Sequence, residues 1–333
     1  MNDLMPSITF APANTIMSAS EQIACQVPAD YAGMRLDQAL AALLPTHSRS
    51  RLQRWLKTGQ LRVDGRIWRP RDPVFGGETI SGELIAEAET FALPQDIPLD
   101  IRYQDADLLV LNKPAGLVAH PAAGNWDGTL VNALLHHYPE LANLPRAGLV
   151  HRLDKETTGL LVVARSLQAH SALVAQLQAR HIERDYLAVV NGLPVAGGTV
   201  DAPIGRHPVE RQRMAVVPGG RPAVTHYRIM RRFRTHTLLH VKLETGRTHQ
   251  IRVHMAHIRL PLVGDPLYGG RPRLPPSASP HVLEVIQNFR RQALHAERLA
   301  LSHPVSGVRL TWQAEMPADL LELVAALEED AKV

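Results

Sequence analysis

The sequence predicts an α+β protein with a small N-terminal domain and a larger domain built on a mixed, mainly antiparallel β-sheet flanked by helices. The chain has 333 residues, 45% of them hydrophobic, which is enough for two cores. After residue 99, strand patterns outnumber helical patterns and do not alternate strictly with them, unlike those of a doubly wound fold. An acidic, proline-containing stretch, residues 85–98, separates the two regions and indicates a linker.

The N-terminus and the composition argue against several protein classes. Residues 1–24 lack a basic start and a continuous apolar segment, so we expect a flexible tail and no secretion signal. No eighteen apolar residues run together, and Cys25 is the only cysteine. We therefore expect neither a membrane span nor a disulfide or cysteine-ligated metal site within the chain. These features predict a cytoplasmic protein.

The first predicted domain, residues 25–84, contains two helices and a hairpin. Residues 35–44 place leucine and alanine on one helical stripe. Ser48 is positioned to cap a second helix, residues 49–58. A strand, an Asp-Gly turn and a returning strand follow at residues 61–67. The side chains of the second helix that we expect to face inward are Leu52, Trp55 and Leu56.

Basic side chains concentrate between Arg49 and Arg71. This stretch holds eight arginines or lysines against one acid, Asp64, whereas the whole chain has 36 basic and 32 acidic residues. A solvated helix face is one explanation for such a cluster. Because the charges continue past the helix onto the hairpin, with Trp68 among them, we favour a surface that follows nucleic-acid phosphates. The predicted RNA-binding residues are Arg49, Arg51, Arg54, Lys57 and Arg62.

The second predicted domain, residues 99–333, carries most of the strand signals and no familiar cofactor motif. The sequence lacks a phosphate-binding loop, a dinucleotide-binding turn, a serine-hydrolase elbow and a zinc-binding helix. His249, His254 and His257 do not share one side of a helix and have no acidic ligand nearby, so we predict packed histidines and no metal site. We predict strands at 101–105, 107–114, 160–164, 184–192, 223–230 and 237–246, and helices at 129–138 and 167–180.

Asp154 lies in the segment HRLDKETTG, residues 151–159, between Arg152 and Lys155. A surface acid neutralised by these two neighbours is the simplest interpretation. A functional carboxylate is favoured because an apolar segment precedes it and a glycine-containing turn leads from it into a buried strand, which would hold it rigidly. Nearby arginines would keep the carboxylate ionised and suited to act as a nucleophile or a base.

A second cluster lies in TGRTHQIRVHMAHI, residues 245–258, where a strand ends and we expect a helix capped by Thr248. Arg247 and Arg252 would then lie near a helix N-terminus, where the helix dipole favours anions over cations. They are either ordinary solvated charges or partners of an anion. Tyr186, at the start of a strand, is either a core aromatic or a residue that contacts a ligand.

Together these segments resemble a known family. HRLDKETTG (151–159), RDYLAVVNG (184–192) and TGRTHQIRVHMAHIRLPLVGDPLYGG (245–270) are similar, in order and spacing, to the signatures of the RluA-type pseudouridine synthases. Residues 34–80 resemble the S4 RNA-binding fold. The resemblance covers nearly all of the chain from residue 25 onward and implies an S4-like domain before a pseudouridine synthase domain.

The resemblance implies roles for individual residues. Asp154 is similar to the catalytic aspartate of the family, Arg252 to the arginine that pairs with it, and Tyr186 to the tyrosine that packs on the target base. Arg184 stands where many members have lysine, a change that keeps the charge and alters the donor geometry. The residues that the resemblance assigns to substrate binding are Arg152, which fills the space of the flipped uridine, His151 and Arg247.

The reaction implied by the resemblance is the isomerisation of specific uridines in 23S rRNA, in its helix 69 stem-loop, during maturation of the large ribosomal subunit. It breaks the N1–C1′ bond, turns the uracil and rejoins it through C5, so no cofactor is expected. Asp154 could attack C1′, add to C6 of the ring or abstract the 2′ proton. The expected partner is 23S rRNA or a precursor of the large subunit, without a membrane, and the protein is predicted to be a monomer.

Three alternatives remain at this point. A glycosidase would need a second carboxylate opposite Asp154, and the only acid close in sequence is Glu156, in an apparently exposed turn. A non-catalytic rRNA-binding or ribosome-assembly factor would need only the basic N-terminal domain. A synthase for a different rRNA stem-loop would carry nearly the same motifs.

Overall fold

The computed structural model describes residues 20–45, 47, 49–85, 92–121, 125–210 and 213–332. The chain divides into two compact units, Met1–Glu89 and Thr90–Val333. Most of the predicted tail and the predicted cap Ser48 lie outside the described residues. Within the described ranges, no helix is both long and apolar enough to cross a membrane.

The N-terminal unit is a three-stranded antiparallel sheet with two helices. Its elements are the strands Ser20–Gln26 (β1), Leu61–Val63 (β2) and Thr79–Ile85 (β3) and the helices Leu36–Leu43 (α1) and Arg49–Thr58 (α2). The strand order is β1-β3-β2. Leu52, Trp55 and Leu56 are at most 2% exposed, which confirms the inward face predicted for α2. They pack with the apolar stripe of α1 in one core.

The hairpin predicted at residues 61–67 is wrong in its second strand. The chain turns after Val63, and the returning segment forms only an isolated β-bridge, between Val63 and Arg66. β2 pairs instead with β3, so its partner comes from a later part of the sequence. β1 also begins at Ser20, inside the predicted tail, because it pairs with the whole length of β3.

The C-terminal unit contains eleven strands and five α-helices among its described residues. The strands are Ile101–Gln104 (β4), Leu108–Lys113 (β5), Thr158–Ala164 (β6), Glu183–Asn191 (β7), Gly198–Asp201 (β8), Ile204–Arg206 (β9), Met214–Val216 (β10), Val224–Arg232 (β11), His236–Leu243 (β12), Leu294–Ser302 (β13) and Arg309–Gln313 (β14). The helices are Leu130–His137 (α3), Leu167–Gln178 (α4), Gln250–His257 (α5), Pro280–Asn288 (α6) and Ala318–Asp330 (α7).

Nine of these strands form the main sheet, in the order β4-β5-β6-β13-β7-β12-β11-β8 with β14 beside β13. β6 and β13 run parallel, and the other described neighbours in this sheet are antiparallel. The predicted mixed, mainly antiparallel sheet is therefore confirmed. All seven residues of β6 are buried, so the core encloses this strand on both faces.

Residues 92–98, predicted as part of a linker, are hydrogen-bonded to the C-terminal unit. The Gln95 amide donates to the Asn132 carbonyl of α3 at 3.0 Å, and the Asn132 side chain donates to the Leu93 carbonyl at 2.7 Å. Asn132 also forms the capping box of α3 with Thr129. The backbone of this segment is therefore held by hydrogen bonds to Asn132, which the composition of the segment does not reveal.

Candidate active site

Asp154 lies in the turn that enters β6. Its carbonyl accepts a hydrogen bond from the Thr157 amide at 3.0 Å, which closes the turn. Gly159 follows with a φ of 111° where β6 meets β13; a Cβ there would lie 2.3 Å from the Ala296 carbonyl oxygen. Only glycine allows this approach of the two backbones. The Asp154 side chain is therefore anchored to the centre of the sheet and is 20% exposed.

Lys113, at the end of β5, holds the other side of this turn. It is 1% exposed, and its Nζ donates to the carbonyls of Lys155, Leu117 and Pro114 at 2.9, 3.0 and 2.7 Å. Burial lowers the pKa of the Lys113 amine to about 8, an effect that Glu156 and Asp154 oppose. The sequence motifs did not indicate a role for Lys113. The available signal was a lysine at the end of an apolar strand, directly before a proline.

Arg252 connects Asp154 to a second, fully buried carboxylate. Its Nη1 donates to Asp154 Oδ2 at 3.0 Å, and its Nε and Nη2 donate to Asp265 Oδ2 and Oδ1 at 2.7 and 2.9 Å. Burial alone would lower the pKa of this guanidinium, but the two carboxylates outweigh burial and raise it above its ordinary value. The predicted meeting of Asp154 and Arg252 is thus present, whereas Asp265 was not predicted.

The helix that carries Arg252 starts one residue later than predicted, and Thr248 is not its cap. α5 begins at Gln250, and His249 occupies the cap position with a φ of 55°. The Gln250 side chain instead closes the turn that precedes the helix: its Oε1 accepts from the Arg247 amide at 3.0 Å. The Thr248 hydroxyl accepts instead from Arg152 Nη2 at 2.5 Å. The tight turn therefore brings both signature motifs to one point.

His249 and Tyr268 lie beside the ion pair of Asp154 and Arg252. The Tyr268 hydroxyl accepts from the Met214 amide at 2.9 Å and lies 2.9 Å from His249 Nδ1. Donation from the hydroxyl to Nδ1 would leave the imidazole proton on Nε2, which lies 4.0 Å from Asp154 Oδ1. Burial lowers the pKa of the His249 ring. The Arg252 guanidinium stacks over the Tyr268 ring, 5.1 Å from its centroid.

Asp154 and Arg252 lie in the wall of a cavity of about 960 Å³. Its wall contains all six residues predicted in this unit to be catalytic or to bind substrate: Asp154, Tyr186, Arg252, Arg152, Arg247 and His151. Tyr186 reaches it from β7, is 5% exposed, and has its phenol pKa raised by burial. Seven arginines but only two carboxylates, Asp154 and Glu244, line the cavity. Such a surplus favours a polyanionic ligand.

His151 contributes to the fold as well as to the wall. Its Nε2 accepts a hydrogen bond from the Val162 amide of β6 at 3.2 Å, so this nitrogen carries no proton. Burial, together with the nearby Arg184, lowers the pKa of the His151 ring to about 3. His151 therefore ties the Asp154 segment to the backbone of β6.

The described residues contain one group whose ligand atoms lie close enough to hold a metal ion: Asp105, Asp107 and His303. His303 Nδ1 accepts the Ser306 amide at 3.0 Å, which places its proton on Nε2, 3.0 Å from Asp105 Oδ2. Asp105 also accepts from Tyr103 and two amides. Hydrogen bonds within the protein therefore already engage both ring nitrogens of His303 and the carboxylate of Asp105. His254, considered above, uses both ring nitrogens on Thr225 and Ala202.

Comparison with known proteins matches both units. Residues 107–257 match the family model described as RNA pseudouridylate synthase, and residues 34–80 match the S4 domain. Over 314 residues, 94% of this chain and 98% of the relative, the sequence is 58% identical to the ribosomal large subunit pseudouridine synthase D of Pseudomonas aeruginosa. The chain belongs to the RNA pseudouridylate synthase family. It is therefore an isomerase that forms pseudouridine in RNA, as its motifs predicted.

Two further relatives agree with this assignment to the pseudouridylate synthases. The ribosomal large subunit pseudouridine synthase D of Escherichia coli K12 is 54% identical over 315 residues, 94% of this chain and 97% of the relative. The solved structure of human RNA pseudouridylate synthase domain containing 4 is 27% identical and superposes with a TM-score of 0.54. It covers 69% of this chain and 93% of its own. The S4 domain predicted at residues 34–80 is also confirmed.

Within the S4 domain of this synthase, at least three predicted RNA-binding residues also have partners inside the domain. Arg49 Nη2 lies 2.8 Å from Oδ2 of the fully buried Asp37, so its first role is to compensate that carboxylate. Arg62 Nε donates to the Gly59 carbonyl at 3.3 Å. The Arg51 guanidinium stacks over Trp55, 5.2 Å from the ring centroid. The RNA contacts of this cluster remain a prediction.

Proposed function

We propose that this synthase converts uridines of large-subunit ribosomal RNA to pseudouridine, with Asp154 as the catalytic group. The observation that carries the proposal is the Asp154 carboxylate, held 3.0 Å from a buried arginine in the wall of a cationic cavity that also contains Tyr186. The names of the two bacterial relatives support the substrate class. Ribosomal RNA as substrate fits a cytoplasmic protein.

The chemistry needs an ionised carboxylate and a shielded cavity. The N1–C1′ bond of the uridine breaks, the uracil turns, and a bond forms between C5 and C1′ while the hydrogen on C5 is lost. Asp154 can start this sequence by attack on C1′, by addition to C6 or by removal of the 2′ proton. The charge-assisted bond from Arg252 orients the carboxylate for each of these steps.

Asp154 reaches these atoms only if the nucleotide leaves its stack. Tyr186 then supplies an aromatic surface for the flipped base, since it faces the cavity from the rigid β7. Arg152, exposed at the rim and hydrogen-bonded to Thr248, fills the vacated space in the RNA. Both roles agree with the positions that the family motifs assign to these residues.

A glycosidase fits this cavity less well. It would need a general acid with a raised pKa opposite Asp154. The other carboxylate in the cavity wall, Glu244, is bound by His226 at 2.6 Å and by Arg180 at 2.5 Å. The hydrogen bond from His226 and the nearby Arg180 lower the pKa of Glu244, which favours the ionised form. Glu156 is not among the residues of the cavity wall.

We propose the helix 69 stem-loop of 23S rRNA, within precursors of the large subunit, as the substrate. Support comes from the likeness over almost the whole chain to two synthases named D. Pseudouridine mapping of 23S rRNA from a strain lacking this protein tests the assignment. The pseudouridines of helix 69 should disappear, and a loss confined to another stem-loop would contradict the proposed site.

Complementation of that strain tests the catalytic assignment. Wild-type protein and Glu156→Gln should restore the missing pseudouridines, because Glu156 lies two residues from Asp154 but outside the cavity wall. Asp154→Asn should restore none while the protein still binds rRNA. Restoration by Asp154→Asn would instead favour a non-catalytic RNA-binding factor.

A further inference from the structure

Arg184 is one of the cations in the cavity wall that the mechanism above does not use. It lies on β7 two residues before Tyr186, so both side chains point to the same face of the sheet, about 7 Å apart along the strand. Both residues line the cavity. Arg184 is only 8% exposed, unlike the arginines at the rim.

The Arg184 guanidinium has no ion-pair partner among the described residues. Its Nε is buried without a hydrogen-bond acceptor. The acid next to it, Asp185, points to the other face of β7 and binds Arg298 at 2.8 Å. By contrast, Arg252 binds two carboxylates and Arg180 binds Glu244. A buried, unpaired charge is costly, so this position indicates an anion that arrives with the ligand.

The backbone opposite Arg184 makes room for its guanidinium. A Cβ on Gly246 would lie 2.8 Å from Arg184 Nη1, closer than real Cβ atoms approach. Gly246 belongs to the same motif as Arg247 and Thr248, at the entrance to α5. The absence of a side chain at 246 therefore lets the guanidinium approach the backbone closely at this point in the cavity wall.

We propose that Arg184 binds the backbone phosphate of the flipped uridine. This inference rests on the proposed function, because it takes RNA as the ligand. Asp154 must approach the ribose and Tyr186 the base, so the phosphate of the same nucleotide lies beyond the sugar, at a distance comparable to the spacing of Arg184 from Tyr186. A guanidinium matches phosphate oxygens with two parallel hydrogen bonds, whereas the edges of uracil carry no full charge.

Salt-dependent RNA binding gives the first test. Arg184→Gln should weaken binding of the substrate RNA and reduce the slope of log K against log salt by about 0.7, the contribution of one phosphate in a single strand. Arg232→Gln, which removes an exposed arginine of β11 outside the cavity wall, serves as the matched control and should leave the slope unchanged. An unchanged slope in Arg184→Gln would overturn the proposal.

Gly246→Ala provides a variant that keeps the arginine. The added methyl group should displace the Arg184 guanidinium and produce the same loss of slope, with a circular dichroism spectrum like that of the wild type. Full binding by Gly246→Ala, with Arg184→Gln impaired, would show that the observed guanidinium position is not the one that binds RNA. That result would also overturn the proposal.

A double-mutant cycle with modified RNA locates the contact. Single methylphosphonates, which remove one charge, are placed on either side of the target uridine in a stem-loop that the wild-type protein converts. At one position kcat/KM should fall about tenfold or more for wild type, with no further loss for Arg184→Gln. Additive losses at both positions would overturn the assignment. Binding without conversion by the wild-type protein would contradict the proposed function alone, and the salt slope would still decide the role of Arg184.

Discussion

Asp265 holds Arg252 with two hydrogen bonds, 2.7 Å to Nε and 2.9 Å to Nη2, and leaves Nη1 to bind Asp154. Asp265 is itself fixed by the amides of Leu267 and Tyr268, both of which donate to its Oδ1. The Asp154 carboxylate is thus positioned by a chain of hydrogen-bonded groups that ends in the backbone after α5. The geometry at Asp154 depends on residues that do not touch the cavity.

Asp265→Asn should show whether catalysis depends on the orientation of Arg252, because this variant leaves the charges of Arg252 and Asp154 unchanged. The amide nitrogen would face the donors of Arg252, so Arg252 would lose its fixed orientation and Asp154 its partner. We expect kcat to fall about 100-fold, the loss typical of misplacing a reacting group by an ångström, with RNA affinity nearly unchanged. Asp330→Asn, at a buried aspartate that binds Arg234, is the control for a purely structural loss. Equal losses of kcat in both variants would contradict the positioning role.

Tyr186→Leu should weaken binding of the flipped base. Loss of one base-to-aromatic contact typically costs about 1–3 kcal/mol, so KM should rise about 10-fold or more. Tyr186→Phe keeps the ring and should leave the KM within about threefold of the wild type, because stacking needs no hydroxyl. Steady-state kinetics on one stem-loop measures both variants. Equal KM values for Tyr186→Leu and Tyr186→Phe would contradict the prediction that the Tyr186 ring stacks on the flipped base.

The folded protein should lose stability as the pH falls below 6.5, partly through His151. Burial and Arg184 lower the pKa of its ring to about 3, whereas the unfolded chain titrates at its ordinary value of 6.5. Between these values the unfolded state binds the extra proton, so the contribution of His151 is complete above pH 6.5 and is lost progressively toward pH 3. At pH 5 the loss should be about 1–2 kcal/mol.

Urea unfolding at pH 7.5 and 5.0 measures this loss. In His151→Gln the side-chain oxygen can still accept the Val162 amide and cannot titrate, so the difference between the two pH values should shrink by about 1–2 kcal/mol. An undiminished difference would show that the ring of His151 is not held neutral in the folded state.

Neutralising the basic face of α2 should weaken rRNA binding and its salt dependence together. The triple variant Arg51→Gln, Arg54→Gln, Lys57→Gln leaves out Arg49, because its loss would also remove one of the cationic partners of the buried Asp37. The slope of log K against log salt should fall by about 2–3 if each cation meets a phosphate. The control neutralises three exposed cations of the C-terminal unit, Arg271, Arg290 and Lys332. Equal slopes for the two triple variants would show that this face does not contact RNA.

The sequence predicted the parts of the site that lie within short motifs. Asp154, Tyr186 and Arg252 were found because each has a characteristic local pattern, and the structure brings them to one cavity. Lys113 and Asp265 were missed because their roles depend on partners 42 and 13 residues away. Their local patterns, a lysine before proline and an aspartate in a glycine-rich turn, are common without such a role.

The fold was predicted best where pairing is local. The helices of the N-terminal unit follow from their apolar stripes, but the strand predicted after Gly65 is replaced by β3, which begins at Thr79. In the C-terminal unit, β13 occupies the centre of the sheet between β6 and β7, and no local pattern had indicated its place. Periodicity identifies which face of a strand is buried and does not identify its neighbour.

The most direct test of the account is the release of tritium from ribosomal RNA labelled at C5 of uridine, measured in a single turnover. Joining C5 to C1′ expels the C5 hydrogen, so each conversion releases one label. Wild-type protein should release it in proportion to the enzyme added, and Asp154→Asn, bound to the same RNA with equal affinity, should slow release by at least about 1,000-fold. Release by Asp154→Asn at the wild-type rate would contradict the central claim that this carboxylate performs the isomerisation.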